Sequence, residues 1–356
     1  ATFSHHRIER SMELVLPKPD DMHLHVRDGS ALNVTIPTAI RQCGRAIIMP
    51  NLQEPVTTTA LALAYRQRIL QHVGPDCSLT PLMTLYLTDS TSIAEIRTAA
   101  SSGLVFACKL YPCGATTNSH NGVTDIVAMY PLFRVMAECN LPLLVHCEVT
   151  DPQIDIFDRE RVFIQRHLVG IIDSIPSLKV VAEHITTAFG VEFVHSARSG
   201  VAATITPHHL LENRNALFHG GLRPHYYCLP VLKTESDRLA LLAAATSGSP
   251  RFFLGSDSAP HSRSAKESDC GCAGCFVGFA CIELYAEAFD SVGKLHMLKD
   301  FACTFGAQFY GLSPSDEQDT IILRKRAWTV PKQIPYIQDE YVIPFKSGQT
   351  LQWSLS

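Results

Sequence analysis

Apolar and polar positions fall into a repeating two-part pattern along this chain. Eight short runs are rich in β-branched and apolar residues. They are MHLHV (22–26), RAIIMPN (45–51), LTPLMTLYL (79–87), VFACKLY (105–111), PLLVHCE (142–148), KVVAEHI (179–185), VAATITPHH (201–209) and RFFLGSDS (251–258). Between them lie stretches of helical character, such as TTTALALAYRQRILQHV (57–73) and SIAEIRTAAS (92–101). Strand-length runs alternating with helix-length ones predict a parallel sheet with right-handed crossovers. Eight such units in roughly 250 residues fit a closed (β/α)8 TIM barrel better than an open sheet. The division expected is an N-terminal extension over 1–17, a barrel over 18–311 and an irregular C-terminal extension over 312–356 packed on it.

Composition narrows the function. At 356 residues and 46% hydrophobic the chain can bury a sizeable core. A net charge of -4 with no basic run argues against a nucleic-acid footprint. No apolar run reaches the ~18 residues that span a bilayer, so the expected partner is a small molecule. The twelve cysteines sit largely in apolar runs, as small buried hydrophobes in a reducing compartment would. The first residues lack a signal-peptide core and do not start with Met. The expected location is the cytoplasm, or an organelle if a transit peptide has been cut away.

The candidate chemistry lies at the strand ends, where barrels of this kind place it. In Asp21-Met22-His23-Leu24-His25-Val26-Arg27 the two histidines and the arginine share one face of a strand by period-two alternation. Imidazoles suit zinc and a guanidinium suits a carboxylate. Lys109, His146, His184 and Asp257 end four further strands. Alternation groups each with apolar or small residues, for example Val180 and Ala182 with His184. Lys109 is the odd member, because a buried ammonium is costly and has no lone pair for a metal. Schiff-base chemistry is one outlet, and reaction with CO2 to an N-carboxylate that bridges two cations is another. The second accounts for more of the neighbouring residues. It also leaves a two-zinc site with surplus positive charge that attracts an anion.

The segments PDDMHLHVRDG, MPNLQEPVTT, KLYP, ATTNS, HCEVTDP, EHITT, TPHHLL, GSDSAPH and KESDCGCAGCF together resemble the dihydroorotase family, in its bacterial and plant form, within the amidohydrolase superfamily. The resemblance runs from about Leu16 into the tail. It implies a binuclear zinc barrel that interconverts N-carbamoyl-L-aspartate and (S)-dihydroorotate in pyrimidine biosynthesis, working as a homodimer. Carried over residue by residue, it assigns one zinc to His23, His25 and Asp257 and the other to His146 and His184. A carboxylated Lys109 and a hydroxide bridge them, and Asp257 shuttles the proton. Substrate-carboxylate contacts fall on Arg27, Asn51 and His261, and main-chain contacts on Leu229 and Ala273. A closing loop, Ala115–Asn118, brings Thr116 and Thr117. Co2+ or Mn2+ would fit the same donors.

Two other motifs look metal-binding. Cys270-Gly-Cys272-Ala-Gly-Cys275 reads as a tight glycine-rich loop near the ligand rather than a zinc knuckle. His208 and His209 end a strand but match no metal position of the family. Two other readings stay open: a related hydrolase acting on a neutral cyclic amide such as a hydantoin, and a non-catalytic scaffold that keeps the barrel.

Overall fold

The computed structural model describes residues 12–75 and 77–356. The first eleven positions of the expected N-terminal extension lie outside the described residues. The chain begins with β1 (Glu13–Pro17) and then runs through eight parallel strands. These are β2 (Asp20–Leu24), β3 (Arg45–Ile48), β4 (Thr80–Tyr86), β5 (Val105–Leu110), β6 (Leu143–His146), β7 (Val180–Glu183), β8 (Val201–Ile205) and β9 (Phe252–Leu254). Neighbours pair in sequence order. A parallel bridge between Leu24 and Ser258 joins the first strand to the last, so the sheet closes as a (β/α)8 barrel. Each expected strand is present. Several end earlier than their apolar runs, because the polar residues that follow turn out of the ladder to line the mouth.

Two apolar layers hold the barrel. Ile47, Met49, Leu82, Ala107, Leu144, Val181, Ala202 and Phe253 fill its interior. A larger cluster lies between strands and helices and takes in Val145, Cys147, Val180, Ala182 and Leu254. The helices start at capped loops: Thr58, Ser92 and Thr187 each accept a backbone N–H three residues on. Val180 and Ala182 thus face outward, and the alternation that grouped them with His184 is wrong by one residue. Val181 and Glu183 point inward instead.

The tail is more regular than its prolines and tryptophans imply. It contributes β10 (Thr320–Thr329), β11 (Ile334–Pro335), β12 (Tyr341–Val342) and β13 (Thr350–Leu355). Strands β1, β10 and β13 form an antiparallel sheet, so residues on both sides of the barrel build one element. Trp353 is fully buried, and its Nε1 donates to Asp290 at the end of the helix Cys281–Asp290. That seats the sheet on the barrel's outer layer. The expectation of an irregular extension is corrected here: the short apolar run Ile321-Ile322-Leu323 pairs as a strand.

Candidate active site

The seam where the barrel closes carries the densest group of donors. The ladder between β2 and β3 shifts register between Asp21 and Leu24. That bulge changes the phase of β2, and His23 and His25 both turn into the mouth. Asp257 arrives from beyond β9, its backbone N–H bonded to His23 O at 2.9 Å. His23 Nε2, His25 Nε2 and Asp257 Oδ1 form a triangle with sides of 3.3, 3.0 and 3.3 Å. Tetrahedral ligands about 2.0–2.1 Å from a zinc ion stand about 3.3 Å apart, so the triangle has the edge of such a polyhedron.

Protonation fits the same picture. Burial, joined by Arg27, pushes His25 down to about 3, which keeps its imidazole neutral as a ligand must be. Burial is also the largest influence on His23 and opposes its charge, but the Glu183 and Asp257 carboxylates together outweigh it and raise His23 above its usual value. Burial alone would raise Asp257, but hydrogen bonds from His23 and His25 hold it well below the usual carboxylate range. The site therefore calls for a cation between His23 and Asp257, whether proton or metal.

The remaining predicted ligands gather around this triangle. The His184 ring lies 4.9 Å from both the His23 and the His146 rings. Its Nδ1 is buried without a partner among the described residues. His23, His184 and Asp257 present ligand atoms within 4.8 Å of one another. His184 does not get there by alternation: its φ of 39° swings it inward just after β7 ends. Arg27 and Asp257 are likewise left-handed, at φ 59° and 45°. Such conformations cost of order 1–3 kcal/mol each and cluster at functional sites. Lys109 is fully buried, its Nζ has no hydrogen-bond partner among the described residues, and it lies 5.1 Å from the Tyr111 ring centre. An orphaned ammonium in a site with an orphaned imidazole nitrogen, His184 Nδ1, fits a carboxylated lysine and metal better than it fits a free amine.

Two positioning carboxylates were missed from the sequence. Glu183 Oε2 accepts from His23 Nδ1 at 2.6 Å and from Thr204 Oγ1 at 2.7 Å, and Thr204 Oγ1 in turn accepts from His184 N at 2.7 Å. Glu148 Oε2 lies 2.7 Å from His146 Nε2. Carboxylates of this kind fix the tautomer of a ligating histidine and raise its basicity. Glu183 directly precedes His184 and Glu148 follows His146 by two residues, but neither place in the sequence reveals the partner.

A cavity of about 330 Å³ opens over the donors. Its walls include His23, His25, His146, His184 and Asp257, together with Arg27, Asn51, Thr116, Thr117, Leu229 and Ala273. His261 is not in the wall; its Nε2 lies 3.0 Å from Arg27 Nη2, while Arg27 Nε donates to Pro260 O. His261 thus touches Arg27 rather than the cavity, and burial pushes its pKa down to about 2. The loop Ala115–Asn118 lies against the cavity. Asn51 Nδ2 donates to Thr117 O, Asn118 Nδ2 to Asn51 O, and Thr117 Oγ1 to Ala273 O. Asn51 is thereby engaged with the loop.

No family model matches the chain. Curated relatives do, over nearly the whole length. A protein of Cupriavidus necator named dihydroorotase is 56% identical over 343 residues, spanning 96% of this chain and 99% of the relative. One of Azoarcus sp., with the same name, is 54% identical over 343 residues, with the same coverage. This chain belongs to the dihydroorotase family. Solved dihydroorotases share its architecture. The Campylobacter jejuni structure superposes with a TM-score of 0.88 at 33% identity, covering 98% of each chain. That of Saccharomyces cerevisiae, in complex with 5-fluoroorotic acid, gives 0.87 at 33%, covering 97% of this chain and 98% of the other. The L-hydantoinase of Arthrobacter aurescens, at 17% identity and TM-score 0.80, shares the fold. Like these, the dihydroorotase-family chain is a barrel hydrolase. No helix among the described residues is long and apolar enough to cross a membrane.

Proposed function

We propose that this chain is a zinc-dependent dihydroorotase, closing N-carbamoyl-L-aspartate to (S)-dihydroorotate and water, and reopening that ring, in pyrimidine biosynthesis. One observation carries the reading: the Arg27 guanidinium shares its cavity with five ligand-type side chains at the barrel mouth. A planar cationic fork suits the carboxylate of dihydroorotate, whereas the neutral ring of a hydantoin leaves it unpaired. The yeast relative was crystallised with an orotic acid derivative, which is likewise an acid.

His23, His25 and Asp257 would hold one zinc, His146 and His184 the second, and a carboxylated Lys109 would link them. When bound, the pair supplies a polarised carbonyl and a water acidic enough to attack at neutral pH. The protein's own residues do the rest. Burial lowers the Lys109 amine from its ordinary 10.5, which favours loss of the first proton and bares the lone pair that attacks CO2. As the new N–C bond forms and a C=O bonding pair of CO2 moves onto oxygen, a second N–H proton leaves, so the loss of two protons in all converts an unpaired cation into an anion that the site can use. Asp257, held ionised, takes the proton of the attacking water in ring opening and passes it to the departing ring nitrogen. Ring closure runs the same transfers backwards. Thr116 and Thr117 roof the cavity and keep bulk water out. Glu183 adds a buried negative charge beside His23 that offsets the surplus charge of the metal pair. Attraction for an anionic substrate then rests on Arg27.

The test is a comparison of ring opening on dihydroorotate and on a neutral ring such as hydantoin or dihydrouracil. Turnover of dihydroorotate with little or none of the neutral rings is expected. Equal turnover of both would overturn the assignment.

A further inference from the structure

Behind the cavity wall a second group of ligand-type side chains converges. His208, Cys228 and Cys275 come from three separate segments, are all buried, and place their ligand atoms within 4.8 Å of one another. His208 is fully buried, and neither ring nitrogen has a hydrogen-bond partner among the described residues. A neutral imidazole carries one donor and one acceptor, so both are left unmet at once. That is unusual for a buried polar side chain and points to a missing partner. Neighbouring His209 shows the contrast, with Nδ1 at 2.7 Å from Thr206 Oγ1 and Nε2 at 3.0 Å from Pro230 O. The thiols touch each other and otherwise make weak contacts, Cys228 Sγ to Pro230 O at 3.3 Å and to His209 Nε2 at 3.8 Å, and Cys275 Sγ to His225 O at 3.5 Å.

We propose that His208, Cys228 and Cys275 form a further metal site, distinct from the barrel-mouth donors, that takes a thiolate-preferring cation, with zinc as its occupant. Two thiolates and an imidazole are a soft donor set that suits zinc, with one position of its tetrahedron left for a further ligand. Two thiolate charges cancel a divalent cation, so the buried complex is neutral, which suits an apolar surrounding of Leu232, Val277 and Leu284. The cysteine-rich run is thereby divided. Cys270 is exposed and Cys272 half-buried, and Cys275 alone of the three joins this cluster. The intervening Gly274 has φ 144°, and a Cβ there would lie 2.7 Å from Ala259 O, so the turn that separates them requires glycine.

The site's place gives it a role. Cys228 precedes Leu229, and Cys275 follows Ala273 and Gly274, all three of which line the cavity. The Lys266 ammonium already ties the same two segments, donating to Tyr227 O at 2.8 Å and to Gly274 O at 2.7 Å. A metal on the two thiolates would staple that wall a second time, from the side away from the donors at the mouth.

Cobalt is the probe, because a thiolate bound to Co2+ gives an intense near-ultraviolet charge-transfer band and nitrogen or oxygen ligands do not. Among the described residues no cysteine lines the barrel-mouth cavity, so the band reports sulfur ligation elsewhere. The full-length chain, kept reduced and loaded with Co2+, is expected to show the band. Elemental analysis after zinc loading is expected to find one more equivalent than in the Cys228→Ser/Cys275→Ser double variant, which lacks the band. A parent protein without the band would overturn the proposal, and this arm needs no variant to fold. So would a band that survives in the double variant, or one lost instead in Cys270→Ser/Cys272→Ser. Recovery of Cys228 and Cys275 as a mutual disulfide from reducing preparation would overturn it as well.

Discussion

The two buried donor clusters meet at the backbone that carries Leu229 and Ala273, yet they are built on opposite plans. At the mouth the donors are nitrogen and oxygen, His23 and His146 are each oriented by a carboxylate, and a cavity of about 330 Å³ opens onto them. Behind the wall the donors are mostly sulfur, His208 has no orienting partner among the described residues, and apolar side chains close the surroundings. An open position beside oriented, basic ligands is what catalysis by a metal needs, whereas a closed thiolate set serves structure. The contrast teaches that ligand type alone does not locate chemistry in this barrel. Access and the partner of each histidine do.

The comparison breaks most visibly at the mouth. Asp257→Ala is expected to lower dihydroorotate turnover by about 10²–10⁴-fold or more through loss of the proton carrier, with the far-ultraviolet dichroism of the barrel kept. Undiminished turnover would remove Asp257 from the reaction. Arg27→Met is expected to raise KM for dihydroorotate by roughly 10–100-fold, the scale of losing a charged hydrogen bond of about 1.5–3 kcal/mol. An unchanged KM would place the substrate carboxylate elsewhere. Glu183→Gln is expected to weaken metal binding at the mouth by about 10–100-fold, as measured by chelator competition. If it altered neither affinity nor stability, Glu183 would not orient His23. At the other cluster the effect is smaller and of another kind. Zinc at a hundred times its dissociation constant stabilises a site by about 2.7 kcal/mol, a shift of a few degrees in melting temperature for a chain of this size. Cys228→Ser is expected to lose that shift, and Cys270→Ser, an exposed thiol, to keep it.

Much of this was legible before any coordinates. The eight apolar runs marked eight strands, because fully buried parallel strands read as continuous β-branched segments. His23 and His25 announced themselves by spacing, and Lys109 by the cost of burying an ammonium in VFACKLY. Phase was harder to read. Taking Val180 and Ala182 as inward assumed that the strand carried its alternation through His184, whereas the chain turns left-handed at that residue. Glu183 and Glu148 stayed hidden because a carboxylate beside a histidine is common and only its distance reveals the pairing. The thiol cluster was beyond reach from sequence. Its members come from positions 208, 228 and 275, and the apparent motif, Cys270 to Cys275, sends a single residue to it. The tail misled by composition, since prolines and tryptophans drew attention away from the short apolar run, Ile321 to Leu323, that starts β10.

The most direct test of the account is ring opening of dihydroorotate by the chain stripped of metal with a strong chelator and then reloaded with zinc. The stripped protein is expected to be inert and the reloaded protein active. A stripped protein that opens the ring at the undiminished rate would contradict the proposal that the barrel-mouth donors act by holding metal.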